Sequence, residues 1–396
     1  MIRMLLWFPW AATGAPLWTC DELTPGLCDM GVEEGRMPTR GLELAYWIFS
    51  PPSDVKEIKT KIVMLHGGPG WTHDYIYPLR QLACRGHPVL MYDQTGSGAS
   101  SFVRDPARDA PWLLSPDYYA DELGELVRHV GWEQYHLFGS SWGTMLAQIY
   151  ALRQPPGLLS LMLSGPFSDS KLYIEAQWDE QTGNLGSMPV FVQGRIRELD
   201  RTRNYDSEEY KRLDDVLTGH FTVRTYPAPD CFQKAEDTQN RAIYVGMQGA
   251  SEFTMRGVLA TYNLTGRLPE LEVPVLLTSG RFDTMRPPCV RAMYDNLKQV
   301  EWHILPRSGH CSMLDEPGPM LDIMAEFLRR VDLGAAIGAP APWSPAPEPV
   351  HEAEVAELAS PGSIAGAVVL VLLGFAAGRI SSRSSARPEL EQPLVH

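Results

Sequence analysis

The pentapeptide Gly139-Ser140-Ser141-Trp142-Gly143 sits between an apolar run, Tyr135–Phe138, and the helical pattern of Thr144–Arg153. A serine pinned between a strand and a helix by two glycines constrains this chain more than any other feature. The turn is too sharp for side chains on its flanks, hence Gly139 and Gly143. It presents the Ser141 hydroxyl at a helix N-terminus, where the dipole favours developing negative charge. Ser140 is the competing hydroxyl, but it occupies an x position of G-x-S-x-G. Glycine and serine are common in turns, so the motif takes its weight from lying after a strand and before a helix.

Further short apolar runs end in polar or glycine-rich turns: Lys61–Leu65 before H-G-G-P-G, and His87–Tyr92 before D-Q-T-G-S-G. Leu158–Leu163, Val273–Thr278 and Trp302–Leu305 are the others. Buried strands alternating with helices imply a mostly parallel sheet covered on both faces. Between Pro166 and about Arg267 the strand signal gives way to charged helical stretches such as Ser207–Leu217. An all-helical insertion there would cap the carboxyl edge of the sheet, where open α/β sheets bind ligands.

A serine hydroxyl needs a base to remove its proton, and the base needs an acid to orient it. Asp283 follows the run V-P-V-L-L-T-S-G and His310 follows W-H-I-L-P-R-S-G, which completes the chain order Ser, Asp, His. His303 lies inside its strand and reads as structural; Asp315 and Glu316 begin the last helix and are acids only by composition. Acyl transfer also builds an oxyanion, which two backbone N–H groups must already face. Trp142, after the nucleophile, supplies one, and Gly68 of His66-Gly67-Gly68-Pro69-Gly70 the other. Asp93-Gln94-Thr95-Gly96-Ser97-Gly98 fits neither Walker A nor G-x-G-x-x-G and reads as a structural turn at the rim.

The net charge of −14, from 48 acidic against 34 basic residues, would repel a phosphate backbone and argues against nucleic acid as a partner. Six cysteines in 396 residues are too few for a disulfide framework. Cys20 and Cys28 could pair with each other or stay as free thiols, and Cys311 reads as a small buried side chain. No C-x-x-C or H-E-x-x-H pattern supports a metal site.

H-G-G-P-G, Y-D-Q-T-G-S-G-A-S, G-S-S-W-G and the final S-G-H together resemble the proline iminopeptidases and tricorn-interacting aminopeptidases over about residues 35–333. The resemblance implies an α/β-hydrolase fold, mostly parallel with a helical cap, and serine hydrolysis of an N-terminal amino-acid amide bond without a cofactor. It also places the substrate's α-ammonium on a cap glutamate, matched by Glu252, beside a pocket tyrosine, matched by Tyr244. A second glutamate of that family, directly after the catalytic aspartate, is Thr284 here, and the family's glycine after the elbow is Thr144. Two other outcomes stay open: an amino-acid amidase or esterase with relaxed amine recognition, and an inactive binding protein, which the complete triad disfavours.

The domain reading is an N-terminal extension over 1–34, a core over 35–165 and 269–333, a cap over 166–268, and a Pro/Ala-rich linker over 334–362. Ser363–Ile380 is apolar except for its first residue and Arg379, and as a helix would rise about 27 Å, enough for a thin bilayer. Arg379, Arg383 and Arg387 lie at or after its end, and Glu348–Glu357 precede it, so the tail over 381–396 would be cytoplasmic. A weak signal-like pattern over Met1–Ala15 agrees with that topology. Asn263-Leu264-Thr265 would then be a usable glycosylation sequon. The expectation is a single-pass membrane protein with its large domain extracellular or lumenal, acting on a peptide or amino-acid amide.

Overall fold

A computed structural model of the chain describes residues 18–24 and 26–338. Of the described residues, 18–24, 26–187 and 193–338 form one compact unit, and Met188–Val192 belong to a second. Eight strands make one sheet among the described residues: β1 Gly31–Thr39, β2 Leu42–Ser50, β3 Lys61–Leu65, β4 Val89–Asp93, β5 Tyr135–Ser140, β6 Leu158–Ser164, β7 Val275–Gly280 and β8 Val300–Leu305. The helices of seven or more residues are α1 Pro116–His129, α2 Trp142–Ala151, α3 Ser170–Trp178, α4 Val190–Arg201, α5 Glu208–Phe221, α6 Asp230–Thr238, α7 Arg241–Met247, α8 Pro287–Tyr294 and α9 Pro317–Asp332.

The strands run in the order β1-β2-β4-β3-β5-β6-β7-β8. The β1–β2 hairpin and the β2–β4 pair are antiparallel, and every other neighbour is parallel. The central strands are nearly continuous apolar runs because both faces are covered. Their side chains alternate: Val63, Leu65, Leu137, Leu163 and Leu277 pack in one cluster with residues of α1 and α2. Ile62, Met64, Phe138, Met162 and Leu276 pack in the other, with α9 and the 3-10 run His73–Arg85. The six apolar runs read from the sequence are β3 to β8, with ends shifted by up to two residues. β1 carries no apolar run: it is an edge strand with Glu33, Glu34 and Arg36, and only Met37 and Thr39 are buried.

Parallel strands bring their carboxyl ends to one edge, so the turns after β3, β4, β5, β7 and β8 converge there. Between β6 and β7 the chain is helical, α3 to α7 with short 3-10 turns. Helix α5 begins where the sequence signals it: the Ser207 hydroxyl accepts a hydrogen bond from the Tyr210 N–H.

The expected membrane anchor, and with it the extracellular or lumenal placement, is corrected. No helix among the described residues is long and apolar enough to cross a membrane. The longest, α9, has 16 residues, about 24 Å of rise against a hydrocarbon core of about 30 Å, and it carries Asp322, Glu326, Arg329 and Arg330. The segment 363–380 on which the anchor rested, the tail after it and the signal-like residues 1–15 lie outside the described residues.

Cys20 and Cys28 do not pair with each other. Cys28 bonds Cys84, with Cα atoms 5.7 Å apart, and Cys20 bonds Cys231 of α6, tying the N-terminal segment to the cap. The Cys28–Cys84 bridge closes a separation of 56 residues and stabilises chiefly by restricting the unfolded chain. The double variant Cys28→Ser/Cys84→Ser is expected to lose about 2–4 kcal/mol, read from urea unfolding; an unchanged midpoint would show that the bridge contributes nothing.

Candidate active site

Ser141 leaves β5 at φ 56° and ψ −124°, a left-handed backbone that an L residue adopts only under constraint. Its N–H donates to the Ser164 carbonyl of the neighbouring strand at 3.0 Å. Its carbonyl accepts both the Thr144 N–H, at 2.8 Å, and the Thr144 hydroxyl, at 2.7 Å. The glycines are needed for close approach. A Cβ on Gly143 would lie 2.5 Å from the Leu65 carbonyl oxygen, and one on Gly139 would collide with the Gly143 carbonyl. Ser140, the competing hydroxyl, is fully buried.

Asp283 and His310 arrive on the turns after β7 and β8. Their contact is a 2.7 Å hydrogen bond between His310 Nδ1 and Asp283 Oδ1; a carboxylate only accepts, so Nδ1 carries the proton. The Met285 N–H, at 2.8 Å, and the Gly280 N–H, at 3.4 Å, also donate to the Asp283 carboxylate. Asp283 is completely buried, and His310 nearly so. Burial alone would lower the imidazole pKa, but the charge and hydrogen bond of Asp283 outweigh it and hold His310 above its ordinary value. His310 Nε2 has no hydrogen-bond partner, and its ring lines the same cavity of about 120 Å³ as Ser141. The imidazole also rests on Gly165, after β6, where a Cβ would come within 2.6 Å of the ring. The other acids are spoken for. Asp315 accepts the N–H groups of Arg224, Thr225 and Gly309, and Glu316 those of Arg307 and the Ser308 hydroxyl.

Gly68 lines the cavity, and Trp142 opens α2 beside Ser141. Among the described residues neither of these two backbone N–H groups has a hydrogen-bond acceptor. Their aim is set by a residue that the sequence reading placed in a structural turn. Gln94 donates its backbone N–H to His66 Nε2 at 2.9 Å and its side-chain amide to the His66 carbonyl at 3.0 Å. It accepts the Trp142 indole N–H at 2.9 Å. Since Nε2 accepts, His66 Nδ1 carries the proton and donates it to the Gly67 carbonyl at 2.9 Å. Burial pushes the His66 pKa down to about 4, so the ring is neutral, as that tautomer requires. The Gly67 C=O and the Gly68 N–H belong to one planar trans peptide and point opposite ways. Fixing the carbonyl on His66 therefore turns the Gly68 N–H away from it. The signal that could have found Gln94 was its position, directly after a strand that ends at the same sheet edge as the serine.

In the cap, Glu252 and Tyr244 line the cavity that holds Ser141 and His310. The Tyr244 hydroxyl donates to Glu252 Oε1 at 2.8 Å, while Glu252 Oε2 is buried without a partner. The Glu252 carbonyl is held by the Tyr173 hydroxyl and, at 3.5 Å, by Gln177. Thr284 is completely buried beside Asp283 and is not part of that cavity's wall. The Cys311 thiol, which does line it, is pushed well above its usual pKa by burial and stays protonated. Backbone bonds couple cap to base: the His310 N–H donates to the Phe221 carbonyl and the Cys311 N–H to that of Thr222, both at 2.8 Å.

Comparison with known proteins agrees with this geometry. The family model for the alpha/beta hydrolase fold matches residues 61–317. A proline iminopeptidase of Clostridioides difficile (strain 630) is 33% identical over 306 residues, covering 76% of this chain and 100% of the relative. One of Heyndrickxia coagulans is 32% identical, covering 69% and 91%. The crystal structure of a Mycobacterium smegmatis proline iminopeptidase superposes with a TM-score of 0.69 at 28% identity, covering 76% of this chain and 99% of that one.

Replacing Gln94 by Leu removes both side-chain bonds that align the two N–H groups. The expected result is a fall in kcat of about 10- to 100-fold with KM nearly unchanged, because misaligned donors cost transition-state contacts. A rise in KM alone, measured with any acyl substrate the protein turns over, would contradict that role.

Proposed function

The chain belongs to the proline iminopeptidase family of α/β-hydrolases, and from that premise we propose that it is a serine aminopeptidase releasing an N-terminal residue, proline foremost, through an acyl-enzyme. The observation that carries this reading is Glu252 Oε2, a buried carboxylate oxygen with no partner, in the cavity shared by Ser141 and His310. A buried carboxylate oxygen without a partner favours a cation, and the protonated amine of an N-terminal residue is a cation one carbon from the carbonyl to be attacked.

The steps follow from the geometry. With the amine on Glu252, held in turn by Tyr244, the scissile carbonyl faces Ser141. Ser141 Oγ attacks the carbonyl carbon while His310 Nε2 takes its proton, and Asp283 stabilises the imidazolium that results. The N–H groups of Gly68 and Trp142 receive the tetrahedral oxyanion. Collapse breaks the C–N bond as Nε2 returns the proton to the leaving amine, and the acyl group stays on Ser141. Water, deprotonated by His310, then attacks the ester and frees the amino acid and the serine. No hydrogen bond yet joins Ser141 Oγ to His310 Nε2; in this scheme that contact forms when substrate fills the cavity.

His310 must be neutral to act as base. Its pKa is raised, so kcat/KM is expected to fall, as pH drops, already above the ordinary imidazole value near 6.5, with one proton taken up. An acid limb below 6.5 would contradict the Asp283 pairing. Ser141→Ala is expected to abolish hydrolysis of a proline arylamide. Glu252→Gln is expected to raise KM for the free-amine substrate by about 10- to 100-fold, the worth of one charge-assisted bond. Equal turnover of free and N-acetylated proline arylamides would rule out amine recognition and leave an amidase or esterase.

A further inference from the structure

We propose that the cavity binds a second cation beside the terminal ammonium, with Asp214 and Glu236 as its counter-ions, so that preferred substrates carry a basic side chain on the first or second residue. The proposal rests on the aminopeptidase reading and narrows its substrate class. Asp214 of α5 and Glu236 of α6 line the same cavity as Ser141, His310 and Glu252. Among the described residues neither carboxylate has an ion pair, and neither is matched with a side-chain hydrogen-bond donor.

Most cations around them are engaged elsewhere. Arg241, the guanidinium in the cavity wall, acts on Asp214 through its charge, but its N–H donates to the Ala250 carbonyl and it lies over the Tyr244 ring. Arg256 pairs with Asp200, Arg197 stacks on Trp178, and Lys234 of α6 reaches Asp74. Asp215 and Asp237, on the same two helices, add further negative charge. Three carboxylates thus face one guanidinium. A substrate with one ammonium leaves an uncompensated charge in a half-buried site, and a substrate with two balances it. Burial and then the neighbouring carboxylates push both the Asp214 and the Glu236 carboxyl up to about 7, and Arg241 only partly offsets this at Asp214; a bound cation would favour their charged forms.

One observation besides the acids and the catalytic base points to an occupant of this cavity: Thr222, 5% exposed and lining it at the end of α5, has a buried Oγ1 without a partner. There is also room for a longer side chain. Asp214 and Ser251 line a second cavity, of about 350 Å³, walled by Ile174, Trp178, Ile196, Leu213, Leu217 and Phe253. A lysine or arginine stem can lie on such apolar surface while its charged head stays at Asp214.

The test compares isosteric pairs on the full chain: Pro-Lys amide with Pro-norleucine amide, and lysine with norleucine arylamide, the two pairs separating a basic second residue from a basic first one. In at least one pair the basic member is expected to have a kcat/KM about tenfold higher or more, the scale of one charge-assisted contact. That ratio is expected to fall toward one in Asp214→Asn/Glu236→Gln; being a ratio, it is insensitive to a general loss of folded enzyme. Turnover of all substrates with ratios near one overturns the cation subsite and leaves the aminopeptidase reading standing. If no free-amine substrate is cleaved, that reading fails, and calorimetry of the same ligands with Ser141→Ala still decides the subsite. Tighter binding of a basic member by about tenfold sustains it, and equal affinities overturn it.

Discussion

Ser141 is held in a left-handed backbone by bonds on both sides, its N–H on the carbonyl of Ser164 in β6 and its carbonyl on Thr144 in α2. The first of those bonds exists because β5, fully buried, and β6, buried from Ser160 on, are parallel neighbours in register at this end, Ser140 opposite Ser164. The cost of the strained residue, of order 1–3 kcal/mol, is carried by the sheet. Everything chemical is arranged around that fixed point. β3 delivers the Gly68 loop, β4 delivers Gln94, and β7 and β8 deliver Asp283 and His310, all at the same carboxyl edge.

The cap is part of this arrangement rather than an appendage. Its helix α5 ends on the backbone of the His310 turn, and its turn after α7 puts Glu252 into the cavity wall. The cavity is consequently acidic on its cap side, where Glu252, Asp214 and Glu236 line it, and carries Ser141 and His310 on its sheet side. That polarity suits a substrate that enters amine first, with its carbonyl left beside the nucleophile. It also separates the work of the two halves: the sheet fixes where bonds change, and the cap selects what is offered to them.

The fold was legible wherever burial is two-sided. The strands from β3 to β8 announce themselves as short apolar runs, and Ser141, Asp283 and His310 by the turns that follow three of them. What escaped was whatever depends on tertiary pairing. β1 is an edge strand whose charges mask its period. The disulfide partners of Cys20 and Cys28 lie 211 and 56 residues away, beyond any spacing argument. Gln94 has no chemical signature of its own and acquires one by touching His66 and Trp142 together. Asp214 and Glu236 look like two more charges on amphipathic helices until both turn out to face one cavity. The terminal segments show the reverse hazard, since composition suggested a membrane anchor that no described helix supports.

The most direct test of the central claim is covalent labelling of the full chain with an aryl phosphonate that reacts with activated serines, with the modified residue located by peptide mass. The account predicts a single adduct on Ser141, slowed by prolinamide and left unaffected by N-acetylprolinamide, because only the free amine reaches Glu252. An adduct on Ser140, or equal protection by both amides, would contradict it.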